Sequence, residues 1–216
     1  RRLVADASHE LRTPVASLRT DIESLLQHPE ADPARQSSML ESADARLTEL
    51  TDLITDIIEL ARGEEPNAEV EEIRLDDLVR DSVERTSSLY PARTFGTNLE
   101  KTVISGRPDR ISRALSNLLV NACKYSPEDR SIQVSLESGV ITVRDFGSGI
   151  PDDEIPYVFD RFFRGRNSRE QTGSGLGLAI VKQVALAGGG DAWAEAGMRD
   201  GASVNFRPAA SSRVLH

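Results

Sequence analysis

Residues 7–14 read Ala-Ser-His-Glu-Leu-Arg-Thr-Pro, and the side chains of this octet can do chemistry together. His9 carries an imidazole, the side chain available as a neutral nucleophile near physiological pH without special activation. Glu10, beside it, can take a proton from one ring nitrogen and leave the other free to attack an electrophile. Thr13 sets a hydroxyl one helical turn further on, and Pro14 follows it. A lone His-Glu pair means little, so its weight depends on what else the chain holds.

Far downstream, three clusters have the residue types that a nucleoside triphosphate calls for. The run Asn117-Leu118-Leu119-Val120-Asn121-Ala122-Cys123-Lys124-Tyr125 puts Asn117, Asn121, Lys124 and Tyr125 at i, i+4, i+7 and i+8, on one helical face opposite the leucines. An amide oxygen is a hard ligand that can hold Mg²⁺ without adding negative charge beside a triphosphate. Lys124 can neutralise phosphate, and Tyr125 can pack or hydrogen-bond at the nucleotide edge. Taken alone, the run is equally well an ordinary amphipathic helix with a polar outer face.

The second cluster, Asp145-Phe146-Gly147-Ser148-Gly149-Ile150-Pro151, follows an apolar strand. Asp145 at a strand end offers a carboxylate to an amino-purine N6, and Gly147 and Gly149 let backbone approach a ligand. The third, Gly173-Ser174-Gly175-Leu176-Gly177-Leu178, opens a helix, whose free amides and N-terminus favour anions. Each glycine cluster alone could be a turn; three in this order and spacing are hard to explain that way.

Rival motifs fail on single residues. Asp145-Phe146-Gly147 mimics a protein-kinase metal motif, but no His-Arg-Asp loop precedes it. There is no Gly-Lys-Ser/Thr for a P-loop, and a dinucleotide fingerprint would need glycine at Leu178. His9-Glu10-x-x-Thr13 opens like a zincin helix but lacks the second histidine.

Such residues need elements to position them. Val4, Ala7, Leu11, Val15, Leu18, Ile22 and Leu25 step by threes and fours, as on one helix face. Two prolines in residues 28–33 mark a turn. Leu40, Ala43, Leu47, Leu50, Ile54, Ile57 and Ala61 then keep a seven-residue repeat, the seam of a coiled-coil-like helix. A two-helix hairpin has too little core to stand alone. A four-helix bundle across a homodimer is therefore expected, ahead of a hairpin packed on its own C-terminal domain. Residues 63–72, rich in glutamate with Gly63, Pro66 and Asn67, read as a linker. Helical spacing returns at residues 77–90, 107–125 and 175–187. Alternation at residues 131–136 and 140–143 around Ser138-Gly139 predicts a hairpin, and strands are expected at 192–196 and 202–206.

The 216 residues, 38% hydrophobic and 28% charged, suit two soluble domains. A net charge of −9 argues against a partner bound through nucleic-acid phosphates. One cysteine, Cys123, allows no internal disulfide and no cysteine-based zinc site, and fits a reducing compartment. No apolar run is long enough to cross a bilayer. The chain opens at Arg1 in helical pattern, without a signal-peptide pattern, and is expected to be a fragment whose sensor and membrane segments lie outside it.

Taken together, these motifs strongly resemble the catalytic core of bacterial two-component sensor histidine kinases. Residues 8–14 match the family's phosphoacceptor box, Asn117 to Lys124 its N box, and Asp145-x-Gly147-x-Gly149 its first glycine box. Val158-Phe159-Asp160-Arg161-Phe162-Phe163-Arg164 matches the F box, and Gly173 to Leu178 the second glycine box. The departures are small: Ser174 stands where threonine is common, and Gly188-Gly189-Gly190 is unusually glycine-rich.

The resemblance implies an α+β chain. Residues 1–62 would be the dimerisation and phosphotransfer hairpin, 63–73 a linker, 74–210 an α/β sandwich of the Bergerat type that binds ATP, and 211–216 a tail. It implies that His9 takes the γ-phosphate of Mg-ATP with Glu10 as base or orienter, and passes it to an aspartate of a response-regulator receiver. Thr13 would orient water for the phosphatase reaction. Asn121 would hold Mg²⁺ with Asn117 in support, Lys124 and Tyr125 would contact nucleotide, and Asp145 would read adenine. Residues 146–174 would form the ATP lid, anchored by Phe159, Phe162 and Phe163, with Arg161 or Arg164 on the phosphates. Pro14 would let the first helix bend as a signal passes. The full-length protein would be a membrane sensor with this portion in the cytoplasm. The second reading is a catalytically silent or phosphatase-dominant nucleotide-binding scaffold for a response regulator.

Overall fold

A computed structural model describes residues 2–27, 32–62, 70–166, 173–197, 201–209 and 211–215, with the backbone alone for 2–6, 9, 10 and 62. Two units follow from the way the chain packs. One comprises residues 1–63 with 172–176, the other residues 64–171 with 177–216.

The first unit is a helical hairpin of α1 (Arg2–Gln27) and α2 (Pro33–Arg62). Pro33 begins α2, where a missing N–H costs nothing, whereas Pro14 lies inside α1 and removes one rung of its ladder. Arg46 reaches Asp21 across the pair, with Nη1 3.3 Å from Oδ2. Ala7, Leu53, Asp56 and Leu60 of this unit are buried. Leu40, Leu47 and Ile54 of the heptad seam instead stay exposed within one chain, as do Val15, Ile22, Leu26 and Ile58. The repeat therefore describes an outer apolar surface, not the hairpin's interior.

The second unit begins earlier than the sequence suggested. Strand β1 (Glu71–Arg74) takes in the last residues of the expected 63–73 linker, and α3 (Leu75–Leu89) follows directly. β2 (Phe95–Leu99) and β3 (Thr102–Gly106) come next, then α4 (Pro108–Tyr125) and the hairpin β4 (Ile132–Glu137) and β5 (Val140–Arg144). A 3₁₀ turn at Ile155–Tyr157 precedes α5 (Gly177–Ala187), β6 (Asp191–Ala196) and β7 (Ala202–Arg207). Ser212–Val214, expected as tail, is β8. A five-stranded sheet runs in the order β2-β4-β5-β7-β6, with β2 parallel to β4 and the remaining pairs antiparallel. A small antiparallel sheet runs β1-β3-β8.

Burial alternates along β4 and β5, so one face of the large sheet is covered and the other is not. The covered face carries Ile132, Val134, Leu136, Ile141, Val143, Val204 and Phe206, all buried. α4 and α5 pack on this sheet and on each other. α4 supplies Ile111, Leu115, Leu118 and Leu119, each 2% exposed or less. Burying a leucine of this kind is worth about 1.5–3 kcal/mol, and this stripe leaves the opposite side of α4 free for polar side chains. Pro108 suits the first turn, and Asp109 there and Lys124 at the other end match the helix dipole. Cys123 is buried there too; desolvation pushes its thiol up to about 11, so it stays protonated and unreactive.

The start of α3 is held against the small sheet by Asp76. Its carboxylate accepts from Arg74 Nε (3.0 Å) and Nη2 (2.6 Å) and from the Thr102 amide (3.2 Å), tying the start of α3 to β3. The Arg74 hydrogen bonds, helped by the Thr102 amide, hold this carboxyl below its ordinary 3.8 despite burial. Asp76→Asn should cost about 1–2 kcal/mol, the lower part of the range for charge-assisted bonds, because the Arg74 side chain is 43% exposed. A lowered carboxyl contributes its stability in full above 3.8 and loses it as pH falls through the folded value. Urea melts of wild type and variant should therefore differ at pH 7 and converge in acid; a gap that persists in acid would refute the assignment.

Candidate active site

The polar face of α4 carries Asn117, Asn121, Lys124 and Tyr125, as the spacing required. Asn117, Asn121 and Tyr125 are half-buried and Lys124 is exposed. The amide nitrogen of Asn117 is buried without a hydrogen-bond partner. Burying an amide donor unpaired costs about 1–3 kcal/mol. Beside it begins α5: a Cβ on Gly177 would stand 3.6 Å from Cβ and Cγ of Asn117. A buried, unpaired amide donor on a residue packed against the first residue of a helix, where the first backbone N–H groups have no intrahelical partner, offers donors to an anionic oxygen.

Asp145 is set at the end of β5 by its neighbours. Its amide donates to the Ala202 carbonyl (3.0 Å), and its Oδ1 accepts the Gly147 amide (2.9 Å). Gly147 lies so close to the end of α4 that a Cβ would stand 2.2 Å from the Tyr125 carbonyl oxygen. No residue with a side chain fits there. The Phe146 amide points at Ser126 Oγ (3.4 Å), so the loop is seated on the last turn of the asparagine-bearing helix. Burial pushes the Asp145 carboxyl up despite the backbone amides that oppose it. A desolvated carboxylate beside such a helix is suited to accept a hydrogen bond from an exocyclic amine.

Sequence reasoning missed Gly201, which holds this loop from the other side. Its φ is +82°, and a Cβ there would meet the Asp145 carbonyl oxygen at 2.0 Å. The signal was faint, a single glycine between two strands. It missed the closure of the F-box region as well. Arg166 donates from its amide (3.1 Å) and Nε (2.9 Å) to Glu154, and its Nη2 reaches Asp153. The side chains of Phe159, Phe162 and Phe163 are half-buried, and Phe163 stacks on Tyr157 with centroids 6.2 Å apart. Arg161 and Arg164 are exposed.

Gly173, Ser174, Gly175 and Leu176 group with the helical unit, whereas Gly177 and Leu178 begin α5 in the other. Within the first four, Ser174 Oγ accepts the Leu176 amide (3.2 Å), Gly175 has φ +69°, and Leu176 is buried. Thr13 is exposed on α1. His9 and Glu10 lie on the same helix, and their side chains are outside the described residues, as are residues 167–172 of the expected lid.

Comparison with known proteins gives this arrangement a context. Residues 1–66 match the His Kinase A phosphoacceptor domain, and residues 106–212 the histidine kinase-, DNA gyrase B- and HSP90-like ATPase domain. The histidine-protein kinase/phosphatase MprB of Mycolicibacterium vanbaalenii is 38% identical over 88% of this chain and 41% of its own length. MprB of Mycolicibacterium smegmatis is 38% identical over 95% of this chain and 44% of its own. The solved structure of a mycobacterial sensor histidine kinase MprB is 32% identical, covers 64% of this chain and 98% of that one, and superposes with a TM-score of 0.56. The chain belongs to the sensor histidine kinases.

Histidine kinase AdeS of Acinetobacter baumannii, at 20% identity, shares the fold over 93% of this chain and 98% of its own, with a TM-score of 0.72. The chain spans less than half the length of the curated relatives named above. Among its described residues, no helix is long and apolar enough to cross a membrane. In a histidine kinase of this family the ATPase domain accounts for α4, the two glycine clusters and Asp145, and the phosphoacceptor domain for α1 and α2.

Proposed function

We propose that this chain moves the γ-phosphate of ATP to His9 and from there to an aspartate of a response-regulator receiver, and that it also removes phosphate from that receiver. The observation that carries the reading is the buried, unpaired Asn117 amide at the start of α5, on the helix whose far end seats Asp145. One end of that arrangement suits phosphate and the other an amino-purine. Asp145 would accept from the adenine amine, and Asn117, Lys124 and the α5 N-terminus would neutralise phosphate.

In the first step an imidazole nitrogen of His9 bonds to the γ-phosphorus as the bond to the bridging oxygen breaks. ADP leaves, and Glu10 takes the ring proton. Among the described residues no three His, Cys, Asp or Glu side chains group into a cation site. A cation held by the neutral Asn121 amide oxygen would therefore share its coordination with substrate phosphates, the usual manner of Mg²⁺. Bound Mg²⁺ would supply charge neutralisation on those phosphates.

The exposed apolar seam of Val15, Ile22, Leu40, Leu47, Ile54 and Ile58 supports a homodimer with a four-helix core. The accompanying division assigns residues 1–62 to dimerisation and phosphotransfer. It assigns the expected 74–210, extended by β1 and β8, to ATP binding. We place the chain as the cytoplasmic portion of a membrane sensor whose input lies elsewhere.

The test is incubation with γ-labelled ATP and Mg²⁺, followed by a chase with a receiver domain. Acid-labile, base-stable label that passes to the receiver supports the reading. No label despite ATP binding would favour the silent or phosphatase-dominant scaffold. Thr13 is exposed one turn after His9, so Thr13→Ala should keep autophosphorylation within about twofold and slow loss of receiver phosphate by about tenfold or more, the size of a lost water-orienting group. Equal loss of both activities would show a structural role instead.

A further inference from the structure

Lys182 lies in the middle of α5, outside every motif read from the sequence. Its ammonium donates to Asp191 Oδ1 (2.5 Å) and to the Ala192 carbonyl (2.7 Å) at the start of β6. Asp191 is fixed in turn, because the same Oδ1 accepts the Ala192 amide at 2.8 Å. So held, the ammonium stands over the ring of Phe159, 5.5 Å from its centroid. Phe159 is the first aromatic of the F box, and the exposed Arg161 and Arg164 follow it within five residues.

The segment around Phe159 is fixed at other points too. Arg166 joins its end to Glu154 near its beginning, and Glu154 is only 9% exposed. Phe162 adopts φ +62°, a left-handed backbone that a bulky residue takes only when its surroundings demand it. Phe163 is thereby turned back onto Tyr157. Among these contacts, the Lys182–Phe159 contact alone joins the segment to α5, the helix whose first residue lies against Asn117.

We infer that Lys182 is a positioning residue for nucleotide binding: its ammonium, aligned by Asp191 and the Ala192 carbonyl, seats Phe159 and so sets the arginine-bearing F-box segment relative to the α5 N-terminus. The inference rests on the ATP-site reading above. Its physical basis is preorganisation, since a seated segment loses less freedom when phosphates arrive. Lys182 itself touches no substrate.

The test is a double-mutant cycle with Lys182→Met, which keeps the apolar stem, and Phe159→Leu, which keeps bulk without an aromatic face. Calorimetric Kd for Mg-ATP and KM for autophosphorylation are read on the dimeric chain. Lys182→Met should raise both by about five- to tenfold, the scale of a partly desolvated cation–π contact, with kcat within about twofold. Lys182→Arg should recover most of the loss, and the two single effects should not add. Should Lys182→Met fail to fold, Asp191→Asn loosens the ammonium while leaving the lysine stem in place and should raise Kd likewise.

Additive effects, a fall in kcat alone, or no rescue by arginine would overturn the inference. Tight ATP binding without labelling would sink the kinase reading while leaving the Kd cycle decisive for Lys182. A wild type that binds no nucleotide would overturn both.

Discussion

His9→Gln should abolish incorporation of label from γ-labelled ATP, by about 10³-fold or more, and should leave the Kd for ATP unchanged. The magnitude follows from removing the nucleophile outright, since a carboxamide nitrogen has no free electron pair to give. Glutamine is at least as good a helix former as histidine, so α1 should be undisturbed. ATP binding is expected to persist because every residue assigned to the nucleotide belongs to α4, the Asp145 loop, the F-box segment or the second glycine cluster. The chain has three histidines, and the others are His28 between the helices and His216 at the end. Acid-labile label surviving in His9→Gln would have to sit on a residue other than His9, and the opening inference would be wrong. Loss of ATP binding together with label would instead mean that α1 supports the nucleotide site directly.

What could be read in advance, and what could not, divides by the range of the interactions. α1, α2 and α4 were legible because each carries a long run of apolar residues at steps of three and four, with proline at the start of α2 and α4. The β4–β5 hairpin was legible because apolar residues alternate around a two-residue turn. β2 was not, since Phe95-Gly96-Thr97-Asn98-Leu99 shows no alternation and pairs in parallel with a strand more than thirty residues away. β1 and β8 are short edge strands with charged side chains, Glu-Glu-Ile-Arg and Ser-Arg-Val, indistinguishable from a linker and a tail.

The heptad seam shows a subtler limit. Its period marked Leu40, Leu47 and Ile54 as an interface, yet only the fold reveals that these stay exposed within one chain while Leu53 and Leu60, off the repeat, are buried. The site divides in the same way. Asn117 and Asp145 stood out because their chemistry is local to a motif. Gly201, Glu154, Arg166 and Lys182 matter through partners that adjoin them only after folding.

Asp145→Asn separates function from stability, because the two make opposite demands on this carboxylate. Burial raises the Asp145 carboxyl above its ordinary 3.8, so the folded protein holds that proton more tightly than the unfolded chain does. A carboxyl raised in this way costs stability at neutral pH. The cost fades as pH falls through the raised value and is absent below 3.8. Asparagine removes the buried charge while its Oδ1 can still accept the Gly147 amide, as Asp145 does at 2.9 Å. The ligand-free variant should therefore melt at or above the wild-type temperature at pH 7, and the difference should close in acid. Nucleotide binding should move the other way. An amide NH₂ turned toward an adenine amine sets donor against donor, losing a charge-assisted bond and stranding a buried group, about a 10²-fold weaker Kd. Calorimetry with ATP and melts across pH decide the matter. Unchanged ATP affinity would remove Asp145 from the adenine site, and a variant destabilised at pH 7 would mean that its charge holds the loop, not the ligand. Both expected results together would show an active-site carboxylate kept at a cost to the fold, the reason such a residue stands out as a local inconsistency before any ligand is seen.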